Sequence, residues 1–143
     1  MTLKDKTLFI SGGSRGWRIP TGAGEDLETE LRRFLRATFR AVSRETGPVL
    51  AALMAEAQRD KPFATEFRKR LIDVRREALR NLLTRARDRG ELNRESNLDL
   101  LADIVYGTMW YRLLVGHAKL DDRLADSLAQ LVTTIGGTGP APA

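Results

Sequence analysis

The sequence contains no cysteine and a single histidine, His117. The first absence excludes disulfides, thiolate metal ligands and cysteine nucleophiles. The second leaves no histidine cluster for a metal ion. No nucleophile–base pair stands out around that one imidazole, so no catalytic residue, metal ligand or cofactor is expected. No apolar run approaches the roughly 20 residues that cross a bilayer. The first residues, MTLKDKTLFI, lack the apolar stretch and cleavage site of a signal peptide. The expectation is a cytoplasmic protein that does not enter a membrane.

What remains is ordinary for a soluble chain. Of 143 residues, 42% are hydrophobic and 30% charged. That length suits one domain with a proper core. Lys and Arg number 24 against 19 Asp and Glu, a net charge of +5. The excess permits contact with nucleic acid or an acidic surface without demanding it.

Three segments are expected. Residues 1–24 combine a strand-like run, Leu8, Phe9 and Ile10, with two glycine-rich turns, "SGGSRG" and "PTGAG". Residues 25–136 are helical by pattern. Residues 137–143 read as a flexible tail. Within the middle segment a first helix spans about 25–43, with Leu27, Leu31, Phe34, Leu35, Thr38 and Val42 as its apolar stripe. Pro48 opens a second helix to about Gln58. Asp60 caps a third, carrying Phe63, Phe67, Leu71, Val74, Ala78 and Leu82, that runs to Arg89, roughly 40 Å if unbroken. Gly90 stops it. Asn97 caps a fourth helix to Val115, and Asp121 or Asp122 caps a fifth ending near Ile135.

The fourth helix is apolar nearly all round. Leu98, Leu101, Val105 and Met109 lie along one side; Leu100, Ile104, Tyr111 and Leu114 lie along another. Such a helix must be covered nearly all round. The fifth offers one stripe, Leu124, Leu128, Leu131, Val132 and Ile135. The two together suit an interface across a two-fold axis, the alternative being that both pack inside one chain.

The phrases "LETELRRFLRATFRAV", "PVLAALMAEAQRD", "RREALRNLLTRARDRGEL" and "LDLLADIVYGTMWYRLLVGH" resemble the C-terminal domain of TetR/AcrR-type transcriptional repressors. The resemblance implies an all-α antiparallel bundle of about five main helices, dimerising through its last two. Leu100, Ile104, Tyr111, Leu114, Leu124, Leu128, Leu131 and Val132 are then the interface candidates. It also implies a pocket for a small apolar or aromatic effector, with Phe34, Thr38, Leu53, Met54, Phe67, Leu71, Tyr106, Met109 and Trp110 as its candidates. Each of these residues also reads as simple core. That family places a helix-turn-helix reader before the helix that starts near Glu25. The 24 preceding residues are too few for one. No specific DNA binding by this chain alone is expected, and a homodimer or a mixed dimer with a full-length relative is.

"LKDKTLFISGGSRG" resembles a different family, the short-chain dehydrogenases, at the strand that enters their phosphate loop. Ser11, Gly12 and Gly16 fit that loop, but Arg18 stands where its last glycine belongs. Neither Tyr106 nor Tyr111 begins a Tyr-x-x-x-Lys. A gene fusion is the expectation, with a truncated NAD(P)-binding oxidoreductase as the alternative. A third reading takes Arg68, Lys69, Arg70, Arg75, Arg76 and Arg80 as a non-specific nucleic-acid face. Interleaved Glu66, Asp73 and Glu77, and the lack of stacking aromatics, favour a solvated face instead. His117 is expected to bond the last carbonyls of the fourth helix.

Overall fold

The computed structural model describes residues 25–42 and 44–137. The dehydrogenase-like run and the tail beyond Gly137 lie outside them. Among the described residues the chain is helical, with only an isolated antiparallel bridge between Leu92 and Gly137. The helices are α1 (Leu27–Ala41), α2 (Thr46–Arg59), α3 (Lys61–Phe67), a π-helical turn (Arg68–Ile72), α4 (Asp73–Asp88), α5 (Leu98–Val115) and α6 (Asp122–Gly136). Because α3, the π turn and α4 follow without a gap, they form one long rod, and the bundle has five rods.

Side-chain caps set the helix starts. Asp26, Asp60, Asn97 and Asp121 each accept a hydrogen bond from the backbone N–H three residues on, at 2.8–3.1 Å. These bonds satisfy donors that a helix otherwise leaves orphaned. Gly90 (φ 85°) and Gly116 (φ 71°) end α4 and α5 in the left-handed region that favours glycine.

The main core gathers Leu27, Leu31, Leu35 and Phe39 of α1, Leu79 and Leu83 of α4, Leu101 and Val105 of α5, and Leu128 and Val132 of α6. A separate small cluster joins Leu53 of α2 to Phe63 and Phe67 of α3. Charge pairs brace the main core from outside. Arg36 of α1 makes a two-pronged bond to Asp126 of α6, at 2.9 and 2.7 Å, and Arg40 does the same to Asp122, at 3.1 and 2.5 Å. At the other end the buried carboxylate of Glu30 meets Arg85 at 3.1 Å and Arg89 at 3.5 Å.

Two stripes expected from the pattern are revised. Val74 is expected to face inward with Phe67 and Leu71, yet it is 53% exposed; Ala78 and Leu82 of the same stripe do reach the core, joined there by Leu79, Leu83 and Ala86. The π turn supplies the reason. Its wider turn absorbs an extra residue and rotates the following helix out of phase with α3. In α6 the single stripe divides. Leu124, Leu128 and Val132 are buried in the chain's own core, while Leu131 and Ile135 face out. Small residues on the inner face, Ala125 and Ala129, let α6 approach α1 closely and turn that stripe inward. Buried this way, Leu124, Leu128 and Val132 offer no surface to a partner chain.

The bracing pairs carry a pH dependence. The hydrogen bond from Arg36 holds the Asp126 carboxyl below its ordinary value, and that from Arg40 does the same for Asp122. A carboxyl lowered on folding stabilises the fold above its unfolded pKa, about 4, and loses that contribution as pH falls through the folded value. The wild type's stability to urea therefore falls more steeply as pH drops below about 4 than that of the double variant Asp122→Asn, Asp126→Asn. Equal slopes in the two proteins would show that the pairs contribute nothing.

Candidate functional site

Between α2, the π turn and α5 the packing leaves a cavity of about 640 Å³. Such a volume is in the range of small-molecule sites. It lies where the two clusters meet. Trp110 of α5 packs against both of them, and the rings of Phe67 and Trp110 meet edge to face, 6.3 Å apart at 69°. Phe63 stacks behind Phe67 at 5.8 Å. The wall therefore combines these aromatic rings with the aliphatic side chains of Leu71, Ile72, Val42 and Leu50.

Seven of the nine residues expected to form a pocket do line this cavity: Thr38, Met54, Phe67, Leu71, Tyr106, Met109 and Trp110. The other two do not. Phe34, 2% exposed, belongs to the main core, and Leu53, 3% exposed, to the small cluster. Their helices use those positions to pack against neighbours, so their side chains end in packed core.

The polar groups of the wall are few and placed. The Tyr106 hydroxyl donates to the Arg75 carbonyl at 2.8 Å, tying α5 to α4. Burial pushes the phenol up from its ordinary pKa, so it is neutral and available as an acceptor at physiological pH. The Thr38 hydroxyl is spent on the Phe34 carbonyl at 2.9 Å. Arg68, Arg75, Arg76 and Asp103 add charge at the wall and rim. Sequence reasoning read those arginines as a solvated face and did not place them here. The signal was a phase slip, since Phe67 and Leu71 continue to Ala78 in one register and to Leu79 and Leu83 in another.

Two further members of the basic run are paired internally. Arg70 bonds Glu66 at 2.9 Å, and Arg80 approaches Asp99 at 3.4 Å. His117 is not the cap of α5. The Gly116 N–H takes the Arg112 carbonyl at 2.8 Å, and the His117 ring lies instead 4.8 Å from the ring of Tyr111. Among the described residues no group of three or more His, Cys, Asp or Glu is placed to hold a metal ion.

The outer surface carries a second feature. Among the described residues the exposed large hydrophobics are Leu100, Tyr111, Leu114 and Val115 of α5, Leu131 and Ile135 of α6, and Val74. All but Val74 lie on the last two helices. Ile104 is half-buried beside them, packed against the main core.

Residues 22–132 match the family of tetracycline-repressor-like C-terminal domains. The chain belongs to that family. It is 34% identical over 94 residues to the uncharacterised HTH-type transcriptional regulator YdeS of Bacillus subtilis (strain 168). The match takes in 66% of this chain and 44% of that regulator, so the chain spans less than half the length of this relative. Among solved structures, the TetR family transcription regulator SCO0332 superposes with a TM-score of 0.80 at 25% identity. That superposition covers 94% of this chain and 75% of the other. The bundle is thus a TetR-type C-terminal domain, from a family of transcriptional regulators. No described helix is long and apolar enough to cross a membrane.

Within this TetR-type domain the Tyr106 bond ties α5 to α4 at the cavity wall, beside the Arg76–Asp103 pair. Tyr106→Phe keeps the ring and removes the donor. It is expected to cost about 1 kcal/mol in urea unfolding, the usual net value of such a bond. An unchanged midpoint would show that the bond adds nothing to the fold.

Proposed function

We propose that the domain senses a small apolar or aromatic effector and pairs with a second chain, as the regulatory half of a transcriptional regulator. The observation that carries the first part is the cavity itself, about 640 Å³, mostly apolar and bounded by Trp110 and Tyr106. Each ring has one polar handle with which to orient a guest. The second part rests on the apolar strip of Leu100, Ile104, Tyr111, Leu114 and Leu131 on α5 and α6. A contiguous apolar surface of this kind on a water-soluble domain marks an interaction site.

Both features use α5, and that sharing supplies the mechanism. A guest that presses on Met109 and Trp110 acts on the same helix that presents Tyr111 and Leu114 outward. Effector binding and pairing are then coupled, and the coupling is reciprocal. A self-paired dimer and a mixed dimer with a full-length relative use the same strip. The reading includes no catalytic step. The basic run is the weaker candidate for function, because Arg70, Arg76 and Arg80 are engaged with Glu66, Asp99 and Asp103.

Trp110 gives a direct readout. The chain's other tryptophan is Trp17, so Trp17→Phe leaves Trp110 as the sole indole. A panel of small aromatic compounds is expected to include members that change its fluorescence saturably, and light scattering is expected to give twice 16.0 kDa. Leu114→Glu should return the mass to that of one chain. A panel without effect on Trp110 would contradict the effector reading, and a monomeric wild type at micromolar concentration would contradict the pairing.

A further inference from the structure

The neutral polar groups of the cavity bear on which effectors it favours, a question that rests on reading the cavity as an effector site. Four side chains of its lining, Thr38, Thr46, Gln58 and Tyr106, carry a hydroxyl or amide donor. All four donate within the chain. The Thr38 hydroxyl takes the Phe34 carbonyl at 2.9 Å, and the Thr46 hydroxyl takes the Ala41 carbonyl at 2.8 Å. The Gln58 amide meets the Met54 carbonyl at 3.3 Å and the Met54 sulfur at 3.5 Å. The Tyr106 hydroxyl takes the Arg75 carbonyl at 2.8 Å. A hydroxyl has one hydrogen to give, so these three are left to a guest only as acceptors.

Trp110 differs. It is half-buried in the same lining, and its contacts are apolar: the edge-to-face ring of Phe67 and the two hydrophobic clusters. Among the described residues nothing accepts its indole N–H. Of the charged donors, Arg68 is exposed, Arg76 is engaged with Asp103 and Asp99, and Arg75 has its own partner in the chain. An indole N–H is a donor only, and it usually finds an acceptor when covered. A guest lying over Trp110 strips that N–H of water and must accept it in turn or leave it unpaired. The spare lone pairs of Thr38 and Tyr106 cost less to leave unused, because each hydroxyl already makes one bond.

We infer that the cavity selects apolar molecules that carry a hydrogen-bond acceptor, namely aryl ketones, esters and similar aromatic carbonyl compounds, the oxygen taking the Trp110 indole N–H and the ring lying against Phe67 and Met109. A hydrocarbon of the same shape fills the space but leaves the indole donor unpaired.

A matched pair of probes tests this on the full chain. 2-Acetylnaphthalene and 2-isopropenylnaphthalene have nearly the same shape, one ending in C=O and the other in C=CH2. The ketone is expected to bind roughly five-fold more tightly or better, the margin of one neutral hydrogen bond. In Trp17→Phe the single indole N–H resonance belongs to Trp110. With the ketone at saturation its proton should lie further downfield than with the hydrocarbon. Trp110→Phe should bring the two affinities together while leaving hydrocarbon binding near its wild-type value. Should that variant fail to fold by circular dichroism, the indole resonance still decides, because it is read with Trp110 in place. Equal affinities in the wild type would overturn acceptor selection while leaving the effector site in place. Binding of neither probe would overturn both readings. A ketone margin that persists in Trp110→Phe, or that comes with the same indole shift for both probes, would overturn the assignment to Trp110.

Discussion

Trp110 packs against two hydrophobic clusters that do not otherwise merge, and the rest of the arrangement depends on that contact. It is possible because α5 is apolar around most of its circumference. Leu101, Val105 and Met109 face the main core, Tyr106 and Trp110 face the cavity, and Leu100, Tyr111 and Leu114 face outward. One helix with three apolar sides must serve three neighbours. The main core takes the first side, the α2–α3 layer the second, and the third remains for a partner of the kind proposed.

The two clusters are unequal. The main core draws fully buried side chains from α1, α4, α5 and α6, and arginine–aspartate pairs join α1 to α6. The small cluster has three buried residues, Leu53, Phe63 and Phe67. A cavity beside it forgoes the dispersion contacts that a filled space would supply. The π turn adds a stretch of less regular backbone at the same place, where such turns recur at functional sites. Firm packing therefore lies on one side of Trp110 and adaptable packing on the other, which suits the effector binding proposed for that layer.

Much of this was legible in the sequence because it is local. Asp60, Asn97 and Asp121 each announce a helix start through chemistry that acts over three residues. The two faces of α5 follow from helical period, whereas the seven cavity residues were candidates because of the family resemblance. What was not legible depended on geometry that one helix's pattern does not contain. The π turn moved Val74 out and Leu79 in, and it brought Arg68 and Arg75 to the cavity wall. The close approach of α6 to α1 turned Leu124, Leu128 and Val132 inward while Leu131 stayed out. Gly116 closed α5 through its backbone, leaving His117 to rest on Tyr111. Phe34 and Leu53 share the stripes of the cavity residues but end in packed core, since a stripe says that a side is covered and not by what.

Native-state hydrogen exchange tests the division at Trp110 most directly. If the two clusters differ as their packing indicates, amides of α2 and the π turn, Val49 to Ile72, exchange through local opening well before those of α1 and the inner face of α6. Protection that is uniform across all five rods, with every slow amide released only on global unfolding, would contradict it.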